Sequence, residues 1–179
     1  MLFRSTRWWC GYSFSWAASI YARARESEKA VEQLKIFATN FCSSNSFHLN
    51  GDQRGGQYSN FTYRPFTLEG NFAFAQGVHE LLLQTRNGVI EVFPAVPPQW
   101  ANCSFNQLRA EGAVLVSARR TEGRTTSVTL TGTVDGMVLL QMPFEHYELK
   151  GTAGATIKVE QGVASIYLRK GQTLQLTGK

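Results

Sequence analysis

The sequence predicts an α+β chain, with helices first and an antiparallel β-sandwich after them. Apolar residues recur at helical spacing before Gly88, and beyond it short runs of Val, Ile, Leu and Thr are bounded by Gly, Asn and Asp. The composition, 43% hydrophobic and 17% charged over 179 residues, is that of a globular protein with a sizeable core.

The helical half is read in three pieces. From Ser13 the positions Phe14, Ala17, Ala18 and Tyr21 share one face, and Arg23 and Arg25 sit where a helix C-terminus favours cations. Ser27 reads as an N-cap, with Glu28 in the first turn, for a second helix striped by Val31, Leu34, Ala38 and Phe41. A polar, Gly-rich loop from Ser43 to Tyr63 follows, long enough to be a functional loop. The third helix is expected from Glu69 to about Thr85, with Phe72, Phe74, Val78 and Leu81 to Leu83 spread around its circumference. Three such helices cannot cover one another, so they read as part of a larger helical layer whose remainder would lie before Met1.

Eight strands are expected: Val89 to Phe93, Ser104 to Ala110, Val114 to Arg120, Ser127 to Thr131, Val138 to Gln141, Thr156 to Glu160, Val163 to Leu168 and Thr173 to Leu176. Turns at Glu122-Gly123, Asp135-Gly136, Gln161-Gly162 and Lys170-Gly171 space them as hairpins. The proline-rich segment Pro94 to Trp100 joins the halves. The expected domains are 1–88 and 89–179.

Charge and cysteine usage exclude several classes. The net charge is +5, but nine Lys/Arg against six Asp/Glu up to Gly88, and nine against seven after it, leave no basic arm. Without a Lys/Arg run or an aromatic-basic RNA signature, no nucleic-acid partner is expected. Cys10, Cys42 and Cys103 have neither C-x-x-C nor His-rich spacing, so they read as buried or free thiols, with no metal and no cofactor implied. His79-Glu80 lacks a second histidine at Leu83, which excludes a zincin site there. No run approaches a membrane span, and Met1 to Trp9 lacks the apolar core of a signal peptide, so the compartment stays open. Asn60-Phe61-Thr62 and Asn102-Cys103-Ser104 fit the glycosylation pattern, which has meaning only after secretion.

The chemistry-bearing stretch is Arg64-Pro65-Phe66-Thr67-Leu68-Glu69-Gly70-Asn71-Phe72, a lone carboxylate at a helix start among aromatic residues. Backbone N–H groups and the positive end of the helix dipole stabilise its ionised form, which suits a general base. Read blandly, the same carboxylate only offsets the dipole, by about 0.3–1 kcal/mol. The run Phe66 to Gln84, followed by Asn87 to Pro97, resembles the end of the catalytic barrel of glycoside hydrolase family 95, the α-L-fucosidase type. Gly11 to Trp16 with Tyr21-Ala22-Arg23, and Phe47 to Asp52, match in the same order.

The resemblance implies that the helices are the last three of a partial (α/α) six-hairpin barrel, followed by the sandwich. It implies inverting hydrolysis of a terminal α-linked sugar, L-fucose or a relative, with carbohydrate and the missing N-terminal barrel portion as partners. In that family an aspartate before Gly-Asn-Phe is the general base; here Glu69 stands there, one methylene longer. The family's acid, a glutamate from an earlier barrel helix, has no counterpart before Tyr12, so the chain alone is expected to be catalytically incomplete.

The site expected on this basis has Glu69 as catalytic base, Asn71 positioning it or the sugar, and His48, Asp52 and Arg64 lining the pocket. Of the two readings of Asp52 the Asx-turn residue is the favoured one, and Arg64 also reads as a partner for Glu69 or Asp52. Tyr58 and Tyr63 are stacking candidates; Trp16 and Phe66 read as core. Two rivals remain: a carbohydrate-binding module, which needs exposed aromatics such as Phe105 or Tyr167 on one sheet face, and a structural or interaction subunit that docks onto a separate barrel chain.

Overall fold

Alanine sets the spacing of the first two helices. α1 (Gly11–Arg23) and α2 (Ser27–Asn40) form a hairpin in which Ala17, Ala18, Ala22 and Ala30 are fully buried, so the helices approach closely. α1 ends in a Schellman motif: the Glu26 N–H donates to the Tyr21 carbonyl at 2.9 Å, the Arg25 N–H to Ala22 at 3.1 Å, and Arg25 takes φ 65°. Ser27, read as a cap, is instead the first helical residue; Glu26 precedes it and makes no side-chain cap. The core of this unit is Phe14, Ile36, Phe37 and Phe41, with Phe74 stacked on Phe37 at 5.4 Å.

α3 (Glu69–Leu82) starts where the sequence places it but stops earlier, because Leu83–Arg86 is strand β1. A Cβ added at Gly77 would lie 2.9 Å from Leu34 Cδ2 and 3.3 Å from Ala18 Cβ, so glycine lets α3 seat against both α1 and α2. The computed structural model describes residues 5–151 and 157–179, and the chain divides into two compact units, Met1–Leu81 and Leu82–Lys179. Thr156, expected in a strand, lies outside the described residues.

The second unit is built from β1, β2 (Val89–Val92), β3 (Cys103–Ala110), β4 (Val114–Thr121), β5 (Arg124–Gly132), β6 (Gly136–Gln141), β7 (Tyr147–Gly151), β8 (Ile157–Glu160), β9 (Val163–Leu168) and β10 (Thr173–Gly178). One sheet has the order β1-β2-β6-β9-β8 and the other β3-β4-β5-β10-β7. Among the described pairs only β2 with β6 is parallel. Alternating residues from both sheets make one core, with Val116, Val128, Leu130, Leu140, Ile166 and Leu176 shut off from solvent. This is the layered, antiparallel-rich sandwich expected from the strand pattern. Asn87-Gly88, Glu122-Gly123 and Gln161-Gly162 all take positive φ at both residues, the type I′ hairpin geometry.

Candidate functional site

Backbone pairing organises the long loop of the helical unit. Asn50 N–H donates to the Pro65 carbonyl, Gly51 to Tyr63 and Asp52 to Phe61, at 3.1, 2.9 and 2.6 Å, so residues 49–52 run antiparallel to residues 61–66. The Gly11 N–H donates to the Asn50 carbonyl at 3.0 Å, fastening the ladder to the start of α1. The ladder brings His48, Asn50, Tyr63, Arg64 and the start of α3 into one region.

Glu69 opens α3 with an exposed side chain. Asn71, two positions on, is fully engaged: its Oδ1 accepts from the His48 N–H at 2.9 Å and its Nδ2 donates to the Ser46 carbonyl at 2.9 Å. It therefore pins the loop to the helix carrying Glu69.

His48 is wholly buried. Its Nδ1 lies 2.7 Å from the Thr67 carbonyl and 2.9 Å from Thr67 Oγ1, and its ring packs on Phe37 at 5.2 Å. The carbonyl fixes Nδ1 as the protonated nitrogen of the neutral ring. Nε2 has no hydrogen-bond partner among the described residues. Burial holds the pKa below the ordinary histidine value, against the raising effects of the Thr67 carbonyl and the Glu69 charge.

Asp52 is 2% exposed. Its Oδ1 accepts from Asn40 Nδ2 at 3.2 Å and from the Arg54 N–H at 2.8 Å, and its Oδ2 accepts from the Tyr58 N–H at 2.8 Å. The bond to Arg54 closes an Asx turn, so this carboxylate shapes the loop from inside. In this chain, then, His48 and Asp52 face protein groups, contrary to the expectation that they line the pocket. Arg64 is exposed and forms no ion pair with Asp52 or Glu69 among the described residues, which corrects that pairing. The physical reason is that Asp52 is enclosed by backbone donors while Arg64 points to solvent.

Sequence reasoning named Tyr63 as a stacking candidate but missed its pairing with the half-buried Asn50, whose Nδ2 lies 2.6 Å from the Tyr63 OH. Only the ladder register, invisible in composition, puts them together. Trp16 and Phe66, read as core, are half exposed, whereas Tyr58 packs against the Phe14 cluster. Leu68 and Phe72 flank Glu69 with exposed apolar surface. The arrangement offers a solvent-facing carboxylate, a polar Asn-Tyr pair and aromatic faces on which a sugar ring can stack. On the thiols, burial pushes Cys42 up to about 11 and also raises Cys103. Among the described residues no helix is long and apolar enough to cross a membrane.

Residues 84–176 match the model of the glycoside hydrolase family 95 C-terminal domain. Alpha-L-fucosidase 2 of Arabidopsis thaliana is 36% identical over 116 residues, which cover 63% of this chain and 13% of that protein. The chain thus spans only a small part of the length of that relative. A solved structure of a family 39 glycoside hydrolase from the gut symbiont Bacteroides cellulosilyticus WH2 aligns over 90% of this chain and 30% of its own, at 16% identity and a TM-score of 0.35. At that score the likeness carries no inference.

Proposed function

The chain belongs to glycoside hydrolase family 95, and on that premise we propose that it is the C-terminal part of an inverting hydrolase releasing terminal α-linked L-fucose or a related sugar. The observation that carries this reading is Glu69, an exposed carboxylate on the first residue of α3, whose first turn is tied to the loop by the Asn71–His48 hydrogen bond and bordered by the exposed Leu68 and Phe72.

In this reading Glu69 takes a proton from a water that attacks the anomeric carbon, while an acid on the opposite face of the sugar protonates the leaving oxygen. Such pairs stand roughly 6.5–9.5 Å apart to admit the water. The acid is contributed by the remaining barrel, for which the helical unit supplies the closing helices of an (α/α) toroid. Asn71 and His48 position Glu69, Asp52 keeps the loop in shape, and Arg64 contacts the sugar at the rim.

The test is made in a full-length family enzyme carrying this segment. Glu69→Gln keeps size while removing the base, and should lower kcat on an aryl α-L-fucoside by about 100-fold or more with a much smaller change in KM. Glu69→Asp should retain or raise turnover. Parental kcat in Glu69→Gln would overturn the assignment.

A further inference from the structure

A polar, open concavity lies on the outer face of the sheet containing β3, β4 and β5. It encloses about 350 Å³ and is lined by Ser104, Asn106, Ser117, Arg119, Ser127 and Thr129. Strand register makes it: Ser104 pairs with Arg119 and Arg119 with Ser127, and Ser117 pairs with Thr129, so these side chains project from one face in adjoining cross-strand rows. A bulge between Phe105 and Leu108 sets Asn106 and Gln107 against Ser117 and shapes the edge of the groove. Ser117 is the keystone, accepting from the Gln107 N–H at 2.9 Å and donating to Asn106 Oδ1 at 2.7 Å.

Three hydroxyls, on Ser104, Ser127 and Thr129, and the exposed Arg119 guanidinium have no protein partner among the described residues. No carboxylate lines the groove. Phe105, the aromatic neighbour, turns inward against the core and meets Phe93 edge-on at 5.3 Å, so ring stacking is not the mode of recognition. What remains is a field of small hydroxyl and amide groups around one free cation, the chemistry that holds a polyhydroxylated anion.

We propose that this groove binds an acidic saccharide, with a uronate carboxylate on Arg119 and ring hydroxyls on Ser104, Ser127, Thr129 and the Asn106 amide. The site goes beyond the hydrolytic reading and is measured by binding alone, so either can fail without the other. It would give the sandwich a substrate-anchoring role of its own.

The test is saturation-transfer NMR and calorimetry on the whole chain, with trigalacturonate as probe and its methyl ester as the uncharged analogue. Trigalacturonate is expected to bind, with the ester and the Arg119→Gln variant each weaker by about tenfold or more, the scale of one charge-assisted hydrogen bond. Arg124→Gln, on β5 but outside the groove, should bind as the parent does. Arg119 is exposed, so its variant should keep the parental melting temperature. Absence of binding, equal binding of the ester, or equal loss in both arginine variants would overturn the site, the last by revealing attraction to net charge only.

Discussion

His48 shows how tightly the start of α3 is set. A Cβ on Gly70 would stand 2.2 Å from its Nδ1 and one on Gly11 2.3 Å from its Nε2, so the imidazole is clamped between two glycines. Gly70→Ala should therefore destabilise the helical unit by about 1–3 kcal/mol through overpacking. Gly136→Ala, with nothing within 4 Å, serves as the near-neutral control in the same urea titration. Because burial depresses the His48 pKa, the unfolded chain takes up the proton at higher pH than the native one. Stability is then complete above the ordinary histidine pKa and falls as pH drops through the depressed native value. His79, also depressed by burial, acts in the same direction. Urea midpoints should be lower near pH 5 than near pH 7.5, either side of the ordinary histidine value, and His48→Gln should shrink the gap; a midpoint that rises on acidification would contradict a neutral buried ring. Sequence made Glu69 legible because helix-start chemistry is local. It did not reveal that His48 is buried, because its anchor at Thr67 lies 19 residues away and its enclosure depends on glycines of two helices.

Elements show the same division between local and distant causes. Glu122-Gly123 and Gln161-Gly162 were legible as hairpin turns because an X-Gly pair accepts the positive φ of a type I′ turn, whereas Asp135-Gly136 and Lys170-Gly171, expected to close hairpins as well, join strands of different sheets, β5 to β6 and β9 to β10. Gln161 and Glu122 accept it less readily than asparagine does, so Gln161→Asn and Glu122→Asn should each raise the melting temperature, by about 0.5 kcal/mol of stability apiece. A drop in either variant would indicate that the native side chain holds the turn by other means. The end of α3 was not legible: Leu81-Leu82-Leu83 suits helix and strand alike, and the choice is made when β1 pairs with β2, Leu83 opposite Val92. β7 was missed because an edge strand with Glu148, Leu149 and Lys150 exposed has no apolar alternation to detect. The loop before α3 read as a functional loop of unspecified form for a related reason, since its order lies in backbone hydrogen bonds rather than in side-chain pattern.

The helical unit exposes large apolar side chains, among them Trp8, Tyr12, Trp16, Phe47, Phe66 and Phe72, and exposed apolar surface of this kind favours association. The chain alone should self-associate, and light scattering that finds a monodisperse monomer with no dye-binding apolar surface would contradict this. The sandwich has a closed core of its own, so a fragment of residues 82–179 should unfold cooperatively. Starting at Val89 instead removes β1 and the buried Leu83, and that shorter fragment should melt at a lower temperature.

The last strand carries a consequence for synthesis. β10 is not an edge: it lies between β5 and β7, pairing with Ser127 to Thr131 on one side and with Tyr147 to Gly151 on the other. While the chain is emerging from a ribosome, β3, β4 and β5 can zip as hairpins, but β7 has no neighbour until Thr173–Gly178 is released. Completion of that sheet therefore waits for β10 to be made, and a nascent chain arrested before Thr173 would expose an unpaired β5 edge, the condition that recruits chaperones or seeds aggregates.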